Sequence, residues 1–135
     1  MYTLKEFTPE YITDLGENEI FIMGTNSQGR HGAGSAKTGH LNFGAIYGRG
    51  EGMQGRAYGI VTKELRSDFP AVTLEDIRAG VERFYAFATT RPNLKFYVTK
   101  IGTLRGGFTM NEIGDIFRAL APKISPNIVL PREFV

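Results

Sequence analysis

An α/β fold is predicted for this chain: a three-layer α/β/α sandwich around a central mixed, mostly parallel sheet. Three observations predict it. Strand-like and helix-like segments alternate as β, α, β, α, β, α, β, and the strand-like ones are short, continuous apolar runs of the kind buried on both faces. Two of those runs pass straight into glycine loops, "GTNSQGRHGAG" at residues 24–34 and "GTLRGGF" at residues 102–108. In such folds ligands bind beyond the carboxyl ends of the strands, so the two loops are expected to face one ligand.

Taken in order, "TPEYITDLG" (residues 8–16) reads as a short helix, with Thr8 as N-cap, Pro9 at the first helical position and Gly16 closing it. "EIFIMG" follows as a buried strand over Ile20, Phe21, Ile22 and Met23. Residues 34–43 are small or helix-tolerant and predict a helix after the glycine loop, and "AYGIVTK" predicts a second buried strand. In "TLEDIRAGVERFYAFATTRP" the residues Leu74, Ile77, Val81, Phe84, Tyr85 and Ala88 recur at spacings of three and four. Thr73 can cap with Asp76 at N3, and Pro92 ends the helix. "LKFYVTK" (residues 94–100) is the third strand. Thr109 and Glu112 form a second capping box, opening a helix with Met110, Ile113, Phe117 and Leu120 inward and Pro122 at its end, and "NIVL" is a last short strand.

At 135 residues, without repeats or linkers, the chain reads as a single domain over residues 1–135. It is long enough to bury roughly two thirds of the surface exposed on unfolding. The absence of cysteine removes disulfides, thiolate metal sites and cysteine nucleophiles. No leader-like run and no apolar stretch of membrane-spanning length is visible, so a soluble, unprocessed, cytoplasmic protein without membrane contact is expected.

The net charge of +2 divides unevenly. Residues 24–63 carry Arg30, Lys37, Arg49, Arg56 and Lys63 against Glu51 alone, so this segment is at +4 and the rest at −2. Eleven of the 17 glycines fall within residues 24–59. Bare backbone combined with cations is the composition of an anion site. Specific nucleotide motifs do not fit: Gly29 and Gly34 have phosphate-loop spacing, but Ser35 and Ala36 stand where Lys and Ser/Thr are required. The pair Gly32 and Gly34 lies too far beyond its strand for a dinucleotide fingerprint. There is no nucleophile elbow and no metal-ligand motif, so neither a metal nor a cofactor is expected. Aromatic and basic residues do not interleave as an RNA-binding surface would require.

"IFIMGTNSQGRHGAGSA", "GAIYGRGEGMQGRAYGIVTK" and "VTKIGTLRGGF" together resemble a group of short bacterial and phage proteins with macro-domain-like folds. The resemblance to that group spans nearly the whole chain. Its likeness to ADP-ribose-binding macro domains is confined to the two loops. The resemblance implies an ADP-ribose-like nucleotide as small-molecule partner, with Gly24 and Thr25 among the binding residues, Asn26 by the distal ribose and Gly32, Ala33, Gly34 and Ser35 on the diphosphate. Gly102, Thr103, Gly106, Gly107 and Phe108 would form the second loop. Departures from the macro-domain pattern are Thr25 in place of serine, Leu104 in the second loop, and no early aspartate for an adenine amino group.

Hydrolysis of an ADP-ribosyl or phosphate ester bond is the chemistry such a site would support, with Asn26 placing ribose and water and His31 or Glu51 handling a proton. Arg30, Arg49 and Arg105 are candidate phosphate partners, and Phe108 and Tyr47 candidate stacking surfaces. Each has a plainer alternative: Asn26 holding its own turn, His31 on a surface turn, Glu51 balancing Arg49, the arginines solvated, and Phe108 packing beneath its helix. His40 reads as structural. Two other function classes stand beside hydrolysis: capture of a nucleotide signal without turnover, and an interaction subunit without a small-molecule ligand.

Overall fold

A computed structural model describes residues 6–103 and 106–135. Five strands form one sheet: β1 (Glu19–Asn26), β2 (Gly52–Gln54), β3 (Ala57–Lys63), β4 (Lys95–Val98) and β5 (Ile128–Val129). Their order is β2-β3-β1-β4-β5. Only the β2/β3 pair is antiparallel; β1 runs parallel to β3 and β4, and β4 to β5. The helices are α1 (Gly34–Asn42), α2 (Leu74–Thr89) and α3 (Met110–Ala119).

The apolar run of β1 explains its central place. Successive side chains of a strand point to opposite faces, so a run apolar at every position needs cover on both. Ile20 and Ile22 join Ile60, Ile77, Val81, Phe84, Phe96, Ile113 and Phe117 in the larger core, on the side of α2 and α3. Phe21 and Met23 face the other way, onto Ala36, Phe43 and Ala45 from α1 and the loop behind it. Helices therefore lie against both faces of a mixed, mostly parallel sheet, as the alternation of segments predicts.

Both predicted capping boxes form. Thr73 accepts from the Asp76 amide at 3.1 Å and Thr109 from the Glu112 amide at 3.0 Å, with each carboxylate returning to its cap's N–H.

Residues 8–16 are a correction: they form no helix. The segment is instead tied to distant parts of the chain. The Thr8 amide donates to Leu130 O at 2.8 Å and its hydroxyl to Val129 O at 3.1 Å, while Ile12 and Leu15 pack on the Phe21 side of the sheet. Local signals for capping and termination were present, but tertiary hydrogen bonds and burial outweighed them. The strand β2, a three-residue edge pairing within a glycine-rich stretch, was not predicted.

Candidate functional site

The chain leaves β1 through α1 towards β3, on one side, and leaves β4 through α3 towards β5, on the other. Adjacent parallel strands whose connections diverge in this way open a crevice at their carboxyl ends. Residues 24–34 and the loop after β4 both emerge there. They meet backbone to backbone: a β-carbon at Gly24 would stand 3.2 Å from Ile101 Cβ and 3.3 Å from the Gly102 amide nitrogen.

Gly24, Thr25 and Ser35 are brought together around the end of β1. The Gly24 amide donates to Ser35 Oγ at 3.1 Å, tying the first turn of α1 to the strand, and the Thr25 hydroxyl donates to Gly50 O at 2.7 Å. The amino end of α1 differs from those of the other two helices. Ala33 stands at its N-cap without a side-chain hydrogen bond, and no acidic residue lies in its first turn. Gly32 and Gly34 are exposed, and a β-carbon at either would meet nothing within 4 Å, so there is open space beside the backbone here. Uncapped amides and the positive end of the helix dipole favour an anion.

Arg66, Arg78, Arg83, Lys95, Lys100, Arg118 and Lys123 are each paired with a carboxylate. Arg30, Lys37, Arg49, Arg56 and Lys63, all within residues 24–63, form no ion pair among the described residues, and outside that segment the same holds for Arg91 and Arg132. Arg49 donates only to Met53 O, at 3.1 Å.

In the second loop Gly102 and Gly107 adopt φ of +74° and +82°, values that favour glycine, and the Phe108 amide donates to Gly102 O at 3.0 Å. Thr103 donates to Lys100 O at 2.7 Å, and a β-carbon at Gly106 would collide with Gly102. Phe108 packs against the larger core, which is the plainer of its two readings. Arg105 and Leu104 lie outside the described residues.

The three residues considered for catalysis are otherwise engaged. Asn26 clamps its own loop, its Oδ1 accepting from the Arg30 amide at 2.9 Å and its Nδ2 donating to Arg30 O at 2.8 Å. Glu51 is held in a two-point ion pair by Arg83 of α2, at 2.6 and 3.0 Å, rather than by Arg49. His31 is not on a surface turn but 2% exposed, with Nε2 against Ile46 O at 2.9 Å and Gln54 Oε1 at 3.0 Å.

Sequence reading missed a network beside the Asn26 turn. The Ser27 hydroxyl donates to Glu64 at 2.5 Å, and the same carboxylate takes the amide, Nε and Nη2 of Arg66. Hydrogen bonds from the Arg66 side chain, then from Ser27, hold the Glu64 pKa down to about 2. Glu64 thus fastens the loop after β3 to the loop after β1. Two open depressions lie away from the glycine loops. One, of about 560 Å³, is at the amino ends of β1, β4 and β5, and the other is under residues 9–15.

Comparison of the chain with protein-family models, curated proteins and solved structures returned no match.

Proposed function

We propose that this protein binds ADP-ribose, or a related NAD-derived nucleotide, through its diphosphate, between the two glycine loops at the carboxyl ends of β1 and β4, as a macro-domain-like module. The observation that carries the reading is the amino end of α1. It is uncapped, lacks an acid in its first turn, opens to solvent at Gly32 and Gly34, and belongs to the segment whose cations have no carboxylate partners. A diphosphate is the ligand chemistry that satisfies bare amides and unneutralised arginine and lysine together.

Capture without turnover is favoured over hydrolysis by one further observation. Both ends of the Asn26 amide, both oxygens of Glu51 and Nε2 of His31 are already committed to the fold. A general base must reach the proton it removes; these groups are held by the fold, and the one unpaired nitrogen, His31 Nδ1, is buried.

Calorimetric titration with ADP-ribose, ADP, AMP, NAD and inorganic phosphate tests the reading, with Gly32→Val as the blocking variant. The backbone at Gly32 is outside the left-handed region and its β-carbon direction is empty, so valine leaves the fold intact. ADP-ribose is expected to bind one to one and be recovered unchanged by chromatography, with affinity falling at least about tenfold in Gly32→Val, a loss of about 1.4 kcal/mol. Absence of heat with every nucleotide, or equal binding by the variant, removes the site. Conversion of ADP-ribose would restore the hydrolase reading.

A further inference from the structure

We propose that His31 and His40 form a two-histidine site for a divalent d-block cation such as Zn²⁺ or Ni²⁺. These are the only histidines of the chain, nine residues apart, and the fold sets their ring centroids at 6.1 Å.

Hydrogen bonding fixes the tautomer of each ring. Ile46 O can only accept. Gln54 Oε1 is identified as the oxygen because it accepts from the Ile46 amide at 2.8 Å while Gln54 Nε2 donates to Arg49 O at 3.1 Å. Nε2 of His31, against both oxygens, therefore carries the proton, and Nδ1 holds the lone pair. That Nδ1 is buried and has no hydrogen-bond partner among the described residues. His40 is locked the opposite way: its Nδ1 meets Ala45 O at 2.9 Å and must donate, leaving the lone pair on Nε2.

An imidazole that gives one N–H to a backbone carbonyl and keeps the other nitrogen bare is prepared as a metal ligand. Two imidazoles on a tetrahedral ion at ordinary metal–nitrogen distances place their ring centres roughly 5 Å apart, so from the observed 6.1 Å the exposed His40 ring closes by about 1 Å on binding. Tyr47 closes a third side, its ring 6.2 Å from His31 and 5.9 Å from His40. His40, on α1, is the exposed member of the pair. No group of three histidine or acidic residues surrounds the pair among the described residues, so water or an exogenous ligand completes the coordination. Imidazole donors select zinc, nickel or copper over magnesium and calcium.

Two substitutions remove the lone pairs and retain the structural hydrogen bonds. The amide nitrogen of His31→Gln replaces Nε2–H, and that of His40→Asn replaces Nδ1–H. Untagged protein titrated with zinc chloride and nickel chloride should bind one ion, magnesium should not compete, and each variant should lose at least about tenfold in affinity. His40→Asn carries the test should the buried His31→Gln fail to fold. Nitrogen-15 spectra of the metal-free protein should show an unprotonated Nδ1 at His31 and an unprotonated Nε2 at His40. No binding at millimolar zinc, binding unaltered in His40→Asn, or the reverse tautomers would overturn the site.

Discussion

Tyr85 is 3% exposed, its hydroxyl has no partner among the described residues, and burial raises its pKa. An unpaired buried hydroxyl is costly, so Tyr85→Phe is expected to leave stability unchanged or raise it by about 1 kcal/mol, read from urea unfolding. Glu64 makes the opposite contribution. Its pKa is about 2 in the fold against an ordinary 4.5, so its stabilisation is complete above the ordinary value and is lost as pH falls from there through about 2. Glu64→Gln should therefore flatten the acid limb of the stability curve in that window while leaving its shape above pH 6 alone. Helical spacing singled out Tyr85 as a core position, but its unpartnered hydroxyl and the Ser27 contact to Glu64 were not readable, because they depend on neighbours remote along the chain. The same reason hid the partner of Glu51, which lies 32 residues away.

The helices α2 and α3 were legible because cap, periodicity and terminator agreed within one turn of sequence. Thr109→Ala should lower stability by about 1 kcal/mol, since the cap and its returning Glu112 are both formed. The weakly patterned α1 was legible for a different reason, its small residues, and Gly39 shows what smallness does there. A β-carbon at Gly39 would stand 2.6 Å from the sulfur of Met23, which is itself wholly buried. Gly39→Ala should thus destabilise, although alanine in a helix interior ordinarily gains about 1 kcal/mol over glycine; a lowered thermal midpoint is the check. Residues 8–16 carried cap and stop signals without an apolar stripe to hold a helix against the core, and their extended path was beyond local reading.

The sheet class and the meeting of two glycine loops at one end were readable from strand composition and segment order, since both follow from chain connectivity. Whether side chains within those loops were free was not readable, because Asn26, Ser27 and His31 are each answered by a partner that folding brings. The amino-terminal segment holds the far edge of the molecule. Besides Thr8 on β5, Glu6 pairs with Lys95 at 2.7 Å and Glu10 with Lys100 at 3.1 Å. Removing residues 1–16 should lower the thermal midpoint and uncover the Phe21 side of the sheet, detectable as increased dye binding. No helix among the described residues is long and apolar enough to cross a membrane.

The central position of β1 has a kinetic consequence. The longest strand, with four consecutive apolar residues, lies early in the chain, yet its neighbours arrive only with residues 57–63 and 95–98. Until then "IFIM" has two open edges and no cover, which is the state in which strands pair with the wrong chain. Refolding yield should consequently fall as protein concentration rises, and any fragment ending before β4 should aggregate, because the strand that organises the finished sheet is the one with longest to wait.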